Sequence, residues 1–392
     1  MQDEHSVSDR SGTQEPASGG EHRLLGAWRS SLAPLLLGHA LAALLVLAIA
    51  GYALKVSQET YLQQGRMLAI NRARDLRQEV TTDLERIDLA MRHVTLANLR
   101  DAADPEAHRR LIEESLQEHM TLVPEVAHLR QTDAEGVVRF QGGDRISIGQ
   151  SLQEDPLFLQ ARGNHEDGLL VGEPHFNKTL GRWQLPLAHR VEDHAGRFQG
   201  IVIGHLDLTH FDRMIDRRHL SPADSLALRS TQLTLLSRQT GRDEQIQPIG
   251  TRRTAPAFAE ALKAAPLSGE FTARNVFDGV ERLTAYSTAA PFPVMAVAGV
   301  SREEVLRPWV AVAWRIGALA GMAALAVLAS AALTLRAWRL QSRSAQRAAH
   351  RRGRSAHPGA AGRRRRWGAC AGPRWPAGGD ERHLRRDAGL VA

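Results

Sequence analysis

The sequence predicts an α+β protein in which a long N-terminal helix and two stacked α+β modules, each an antiparallel sheet with helices, lie between two transmembrane helices. Three observations carry that reading. Two stretches lack any charged residue: 25 positions between Arg29 and Lys55, and 20 between Arg315 and Arg336. An apolar stripe at helical spacing follows the first stretch. Beyond it, a helix, a hairpin, a helix and a three-strand meander occur in that order twice.

The chain has 392 residues, 43% hydrophobic and 24% charged, with a formal net charge of +7. That charge is unevenly placed. Residues 1–29 carry 3 Arg against 5 acidic residues, residues 55–315 carry 32 Lys and Arg against 35, and residues 316–392 carry 15 Arg against 3. The basic excess therefore sits at the C-terminal end, and no nucleic-acid partner is expected. The single Cys370 excludes an intramolecular disulfide framework and a Cys-rich zinc site.

About 20 mainly apolar residues suffice for a helix to cross the hydrocarbon core, so residues 30–54 and 316–335 read as transmembrane helices. Pro34 lies near the start of the first, where a missing N–H costs little. His39 reads as a tolerated polar group. Ala48-Ile49-Ala50 looks like a signal-peptidase site, but the acidic leader and an apolar run beyond the roughly 7–15 residues of a signal peptide favour an uncleaved anchor. Arg336, Arg339, Arg343 and Arg347 close behind the second span predict a cytoplasmic C-terminus. Two spans then return the N-terminus to the cytoplasm and leave residues 55–315 outside, in a bacterium the periplasm. The expected location is the bacterial inner membrane, with the lipid bilayer as a partner. Residues 1–29, rich in Ser, Gly, Asp and Glu up to Gly20, read as a disordered cytoplasmic tail.

From Lys55 to about Arg100 there is no Pro and the only Gly is Gly65. Ala73, Leu76, Val80, Leu84, Ile87, Met91 and Val94 fall 3 and 4 apart, which predicts one helix running directly out of the first span. A second helix is expected over Pro105 to His119, after the Asp104-Pro105 start signal. Val126 to Arg130 and Val137 to Phe140 flank the turn-like Asp133-Ala134-Glu135-Gly136, a hairpin signature. Strands follow at Leu169 to Val171, Arg182 to Val191 and Arg197 to Leu206, and a helix at Thr209 to Arg217. The second unit has strands at Leu226 to Arg229 and Leu233 to Ser237, then a helix at Ala257 to Ala264. Three more strands fit Glu270 to Arg274, Val280 to Thr288 and Val294 to Val300.

The stretch Asp193-His194-Ala195-Gly196-Arg197-Phe198-Gln199-Gly200-Ile201-Val202, with His205-Leu206-Asp207-Leu208 after it, resembles a double Cache (PDC-type) extracellular sensor domain. So does Asp278-Gly279-Val280-Glu281-Arg282-Leu283-Thr284-Ala285-Tyr286, with Pro291 to Val300 behind it. The resemblance covers residues 55–310, with a membrane-distal module at about 100–207 and a membrane-proximal one at about 220–300. It implies two stacked PAS-like antiparallel-sheet modules forming the input domain of a bacterial transmembrane signalling protein, such as a diguanylate cyclase or a sensor histidine kinase. It also places the ligand pocket in the distal module, between the sheet and a short covering helix.

The candidate ligand-binding residues there are Phe158, His175, Trp183, Arg190 and Asp207, beside Phe176, Arg182, His189 and His205. Asp155-Pro156-Leu157-Phe158 resembles the place where relatives carry an Asp-Arg-x-x-Phe-type motif, with Pro156 in place of the Arg. The Arg-x-Trp-Tyr motif of the amino-acid-binding branch is absent, which weighs against an amino-acid ligand. Asp207 matches an acid that in some relatives holds a ligand's ammonium group. Arg190 is suited to pair a carboxylate through its fork, and Trp183 offers a flat apolar wall. Each also has a structural reading, with Trp183 in the core and Arg182 and Arg190 solvated. Alternation puts Trp183, Leu185, Leu187 and His189 on one face of the strand and Arg182, Gln184, Ala188 and Arg190 on the other. Both sets cannot line one pocket.

His175, His189, His194 and His205 form no H-x-x-x-H or H-E-x-x-H pair, so no metal is expected. No cofactor and no catalytic residue are expected either: there is no G-x-S-x-G, no phosphate-cradling Gly loop and no Cys in the outer segment. Residues 336–392 read as a short Arg-rich cytoplasmic tail. From Arg351 onward Arg, Gly, Ala, Pro and Trp fill 32 of 42 positions, a composition that builds no core. A lipid-binding patch, a solvated tail and a frameshifted remnant of an output domain are the readings, the last favoured. The expectation is a membrane-anchored small-molecule receptor, homodimeric through its long helix, without an output domain or enzymatic activity of its own. Its ligand would be a carboxylate or an amine. The alternatives are a scaffold whose outer domain binds another protein, and a truncated cyclase or kinase.

Overall fold

The computed structural model describes residues 19–100, 104–142, 147–163, 168–216, 218, 220–241 and 249–355, with side chains from 33 to 348. The first element is a single helix of 79 residues, α1 (Gly19–Ala97). The apolar stretch and the stripe-bearing stretch after it are therefore one rod without a break at Lys55. It starts ahead of residue 30, at Gly19. Adding turns to an existing helix needs no new nucleus, and Leu24, Leu25, Ala27 and Trp28 are compatible with it. The remainder of the expected disordered tail, 1–18, lies outside the described residues, as does the C-terminal tail beyond Ser355.

α1 and α6 (Arg302–Ser355) are both long and apolar enough to cross a membrane. Leu37, Leu41, Leu44 and Leu47 of α1 and Leu319, Met322 and Leu325 of α6 are exposed, as lipid-facing side chains are. Residues up to Leu328 form one compact unit and those from Ala329 another. In the second unit Arg336, Arg339, Arg343 and Arg347 are exposed along the helix.

Past Lys55 the predicted stripe is buried: Ala73, Leu76, Val80, Leu84, Ile87, Met91 and Val94 are each at most 1% exposed, joined by Ala69. After α1 comes α2 (Pro105–Leu122), capped at Asp104, whose Oδ1 accepts from the Ala107 N–H at 2.6 Å. The distal sheet contains β1 (Val126–Thr132), β2 (Val138–Gln141), β3 (Leu170–Val171), β4 (His175–Asn177), β5 (Arg182–Glu192) and β6 (Phe198–Asp207). Its order is β2-β1-β6-β5-β3, with β4 also paired to β5, and every pairing is antiparallel. β4, three residues long, was not expected. Helix α3 (Pro156–Gly163) precedes β3, and α4 (Thr209–Asp216) follows β6.

The proximal sheet has β7 (Ser225–Ser230), β8 (Leu235–Thr240), β9 (Ser268–Arg274), β10 (Glu281–Thr288) and β11 (Val294–Ser301), in the order β8-β7-β11-β10-β9. β8 begins two residues later than expected because Leu233 has a φ of 69°, a turn conformation no strand accommodates. Helix α5 (Pro256–Ala264) covers one face.

Each sheet is a middle layer. Leu185, Leu187, Val202 and Leu206 of the distal sheet and Leu226, Leu228, Ala296 and Val300 of the proximal sheet join the α1 stripe in one continuous core. On the opposite faces lie separate small cores. Phe158 packs with Ala188, Ile201 and Ile203 under α3, and Phe258 with Tyr286 and Met295 under α5. Each side chain fully buried in these cores contributes roughly 1.5–3 kcal/mol.

Gly65 shows how close the packing is. A Cβ there would stand 2.8 Å from Leu283 Cδ1 of β10 and 2.9 Å from Val305 Cγ2 of α6. The one glycine of the stalk is thus the point where α1, the proximal sheet and the second membrane helix meet. Buried Asp224 ties the same corner, accepting from Arg72 of α1 at 2.6 Å and from the Ser301 N–H at 2.8 Å. Gly65→Leu is expected to destabilise by about 1–3 kcal/mol through overpacking. Gly65→Ala should cost less, because the helix propensity of alanine offsets about 1 kcal/mol. Thermal melts of the full chain in nanodiscs measure both, and a Gly65→Leu protein as stable as the parent contradicts the contact.

Candidate ligand-binding site

β5 and β6 are paired from Gln184 opposite Asp207 to Glu192 opposite Phe198. This long ladder sorts the candidate residues by face. Leu185, Leu187 and Val191 join the core under α1, while Ala188, Ile201 and Ile203 pack under α3. By the same alternation Arg182, Gln184, Arg190, His205 and Asp207 share the α3 face, and Trp183 and His189 point the other way.

Trp183 is accordingly separated from the other candidates. Its indole lies against Gly250 of the proximal module, where a Cβ would come within 2.6 Å of the ring, and Phe176 meets it edge-on at 5.8 Å. Trp183 joins the two modules. Phe158 is fully buried, 5.5 Å from the Phe198 ring, and fastens α3 to the sheet. Arg190, 9% exposed, donates Nη1 to the Ala161 carbonyl at 2.6 Å and to that of Arg162 at 3.3 Å, and Nε to Glu192 at 2.6 Å. Its guanidinium also stands 4.9 Å over Phe198. These bonds satisfy carbonyls at the C-terminal end of α3, which a helix leaves without partners. Arg190 is neither solvated nor open to a carboxylate ligand; it holds the covering helix in place.

Asp207 accepts from Arg182 Nη1 at 3.0 Å and from the Thr209 N–H at 2.9 Å, capping α4. Partial burial opposes its ionisation, but the Thr209 bonds and Arg182 outweigh that and hold its carboxyl below the usual range. His175 is exposed on β4 and meets His205 edge to face at 5.4 Å. Burial lowers the pKa of His175, with Asp155 opposing.

The group that completes this cluster is Arg130. A β-bulge interrupts β1, where Ala127 opposes His205 but Arg130 opposes Ile203, and His128 between them has a φ of 54°. Strict alternation from Val126 would turn Arg130 toward α1. The bulge turns it to the α3 face instead, beside His205. Nη1 donates to Gln150 Oε1 and Nη2 to His205 Nδ1, both at 3.3 Å. Since a guanidinium only donates, His205 Nδ1 accepts and its proton sits on Nε2. Nε of Arg130 is buried without a hydrogen-bond partner among the described residues. Burial lowers the Arg130 pKa, and the charge of nearby Asp155 partly restores it. Asp155 itself caps α3, accepting from the Leu157 N–H at 2.8 Å. The cluster of Arg130, His175 and His205 thus presents a largely buried cation with one N–H to spare, under a short helix pinned by Phe158 and Arg190. Its chemistry suits a small anion.

The four histidines do not converge. His189 is buried on the α1 face, 3.5 Å from Asp88, and His194 lies in the β5–β6 turn. Among the described residues no three His, Cys, Asp or Glu side chains come together.

The outer part of the chain, two sheet modules strung on one long helix, superposes on the extracellular domain of rpHK1S-Z16, a protein assigned as a histidine kinase. The TM-score is 0.54 at 20% identity, over 63% of this chain and 99% of that one. This is the double Cache fold. The sensor modules of Campylobacter jejuni chemoreceptor Tlp3 in complex with L-valine (11% identity, 64% and 98% covered, TM-score 0.46) and of Pseudomonas aeruginosa amino-acid chemoreceptor PctC in complex with GABA (17%, 62% and 99%, 0.44) also align. Those two scores are too low to bear on this chain. No protein-family model matches the sequence, and no curated protein does.

Burial, with the Arg130, His175 and His128 charges added, depresses the pKa of His205 to about 3, from an ordinary 6.5. Between those values the unfolded chain binds a proton that the folded chain refuses, so this contribution to stability is complete above about pH 6.5 and is lost as pH falls toward 3. His205→Gln is expected to flatten the decline in melting temperature between pH 7.5 and 5. An identical pH slope in the two proteins would show that His205 is not held neutral.

Proposed function

We propose that this protein is a two-pass membrane receptor whose outer domain binds a small organic anion in the membrane-distal module, at Arg130, His175 and His205. The carrying observation is the buried Arg130 Nε–H without a partner. A buried donor of this kind costs free energy unless a ligand or water accepts from it. A carboxylate answers both the charge and the fork geometry of a guanidinium. In this reading Phe158 and Arg190 set the position of α3 over the ligand, and Asp207 with Arg182 closes the edge of the site. Trp183 carries the state of the distal sheet to the proximal module.

The exposed Arg336, Arg339, Arg343 and Arg347 behind the second span support cytoplasmic termini and a periplasmic sensor domain. The chain signals as a homodimer through α1, by a small rigid shift of α1 and α6 between two packed arrangements.

The test is a thermal-shift screen of the full chain in nanodiscs against carboxylates, amino acids and amines. A ligand present at 100 times its dissociation constant adds about 2.7 kcal/mol of stability. At least one anionic metabolite is expected to raise the melting temperature of the parent protein and not that of Arg130→Gln. No stabilisation by any compound, or equal stabilisation of both proteins, sinks the proposal.

A further inference from the structure

The proximal module holds a cavity of about 50 Å3 on the α5 face of its sheet. Ser225, Ala227 and Thr284 reach it from the strands, and Phe258 of α5 and Phe271 of β9 wall it, their rings stacked 5.0 Å apart. Three arginines line it as well: Arg229, Arg238 and Arg282, which are 5%, 4% and 2% exposed. Arginines are almost never buried this deeply unless paired.

Their counter-charges differ. Asp278 accepts from Arg282 at 2.8 and 2.9 Å and from Arg238 at 2.5 Å. Burial opposes ionisation of Asp278, yet the bonds from Arg282, Val280 and Arg238 hold its carboxyl down at about 2. Asp224, immediately before β7, is taken by Arg72. Among the described residues Arg229 has only backbone oxygens as partners, those of Leu233 at 2.5 Å and Arg253 at 3.1 Å. No carboxylate among the described residues stands within ion-pair distance of it. Burial and the neighbouring Arg238 push the Arg229 pKa down to about 10, so it still carries its charge at neutral pH.

We infer that this cavity is a second ligand site, taking a short-chain monocarboxylate of about acetate size, with the carboxylate on Arg229 and the methyl group against Phe258 and Phe271. Size and lining together set the class. The volume holds about four water-sized spheres at roughly 10–15 Å3 each, which bounds the occupant to a few heavy atoms. The aromatic wall gives a methyl group apolar contact that a hydrated halide or phosphate would not use, and the planar fork of an arginine matches a carboxylate. The position is apt for control of the membrane helix. β11 contributes Val297 to the cavity and runs directly into α6. This site is independent of the distal one and would stand if that one failed.

The test uses the full chain in nanodiscs with sodium acetate as probe, and sodium chloride and sodium phosphate as matched arms at constant ionic strength. Calorimetry is expected to show saturable acetate binding. Hydrogen exchange on the parent protein is expected to slow over 255–262 and 275–277 when acetate is present. Arg229→Gln removes the charge and Ala227→Leu fills the cavity, and each should weaken acetate binding at least tenfold. Should Arg229→Gln fail to fold, Ala227→Leu and the exchange map of the parent protein decide. Absence of saturable binding, protection confined to the distal module, or unchanged affinity in a folded Ala227→Leu protein each overturns the site. Equal protection of the same segments by chloride or phosphate overturns the carboxylate assignment.

Discussion

One apolar stripe on α1 closes the inner face of both sheets. From Ala69 to Val94 it is buried without interruption, against β10 and β11 at one end and β5 and β6 at the other. α2 and α4 add Ile112, Leu116, Phe211, Met214 and Ile215 to the same core, while α3 and α5 sit on the opposite sides with cores of a few residues each. A half-buried antiparallel sheet without that cover would expose its leucines and valines to water. The modules are therefore coupled through a shared wall as well as through direct contacts such as Trp183 against Gly250. Because the wall continues into a stretch long and apolar enough to cross a membrane, any change that repacks a sheet against α1 acts on that same rod.

The same arrangement explains why polar groups collect on the outer faces. In each module the face away from α1 bears a short helix over a few aromatic and aliphatic side chains, with arginines around them. Arg190 closes the end of α3, and Tyr286 lies within hydrogen-bond distance of the Ala261 and Ala265 carbonyls at the end of α5. These side chains satisfy helix ends that would otherwise be buried without partners. Arg130 in the distal module and Arg229 in the proximal one are largely buried cations that no carboxylate among the described residues pairs. The two are not equivalent. Arg130 reaches a neutral histidine and keeps a free Nε–H, whereas Arg229 is held by backbone oxygens beside a cavity with an aromatic wall.

Two links lead from the modules to the second membrane helix. Asp224 bonds Arg72 of α1 and the Ser301 N–H at the end of β11, and Gly65 allows α1 to approach both Leu283 and Val305. Both lie where the proximal sheet turns into α6. Close packing transmits displacements there, because a core at crystal-like density cannot absorb them.

The long helix, its stripe, the two apolar spans and the antiparallel character of both sheets were readable in the residues, since each rests on a period or a length that the chain itself displays. The split of β5 into two faces was readable for the same reason, and it already separated Trp183 from Arg190. Three things were decided only by tertiary structure. The bulge at His128 turned Arg130 onto the α3 face, and nothing in Val126-Ala127-His128-Leu129-Arg130 announces a bulge, because its cause is pairing with β6. Arg190 and Phe158 were taken up by α3, whose end lies 28 and 29 residues from Arg190 and whose partners local patterning does not name. The three proximal arginines, spread over β7, β8 and β10, come together because β7 pairs with β11, which joins the β7–β8 and β10–β11 pairs across the sheet although they are far apart in sequence. Periodicity fixes which face a side chain takes on its own element. Which charges then meet across elements depends on registry and long-range pairing, and those exist only in the folded chain.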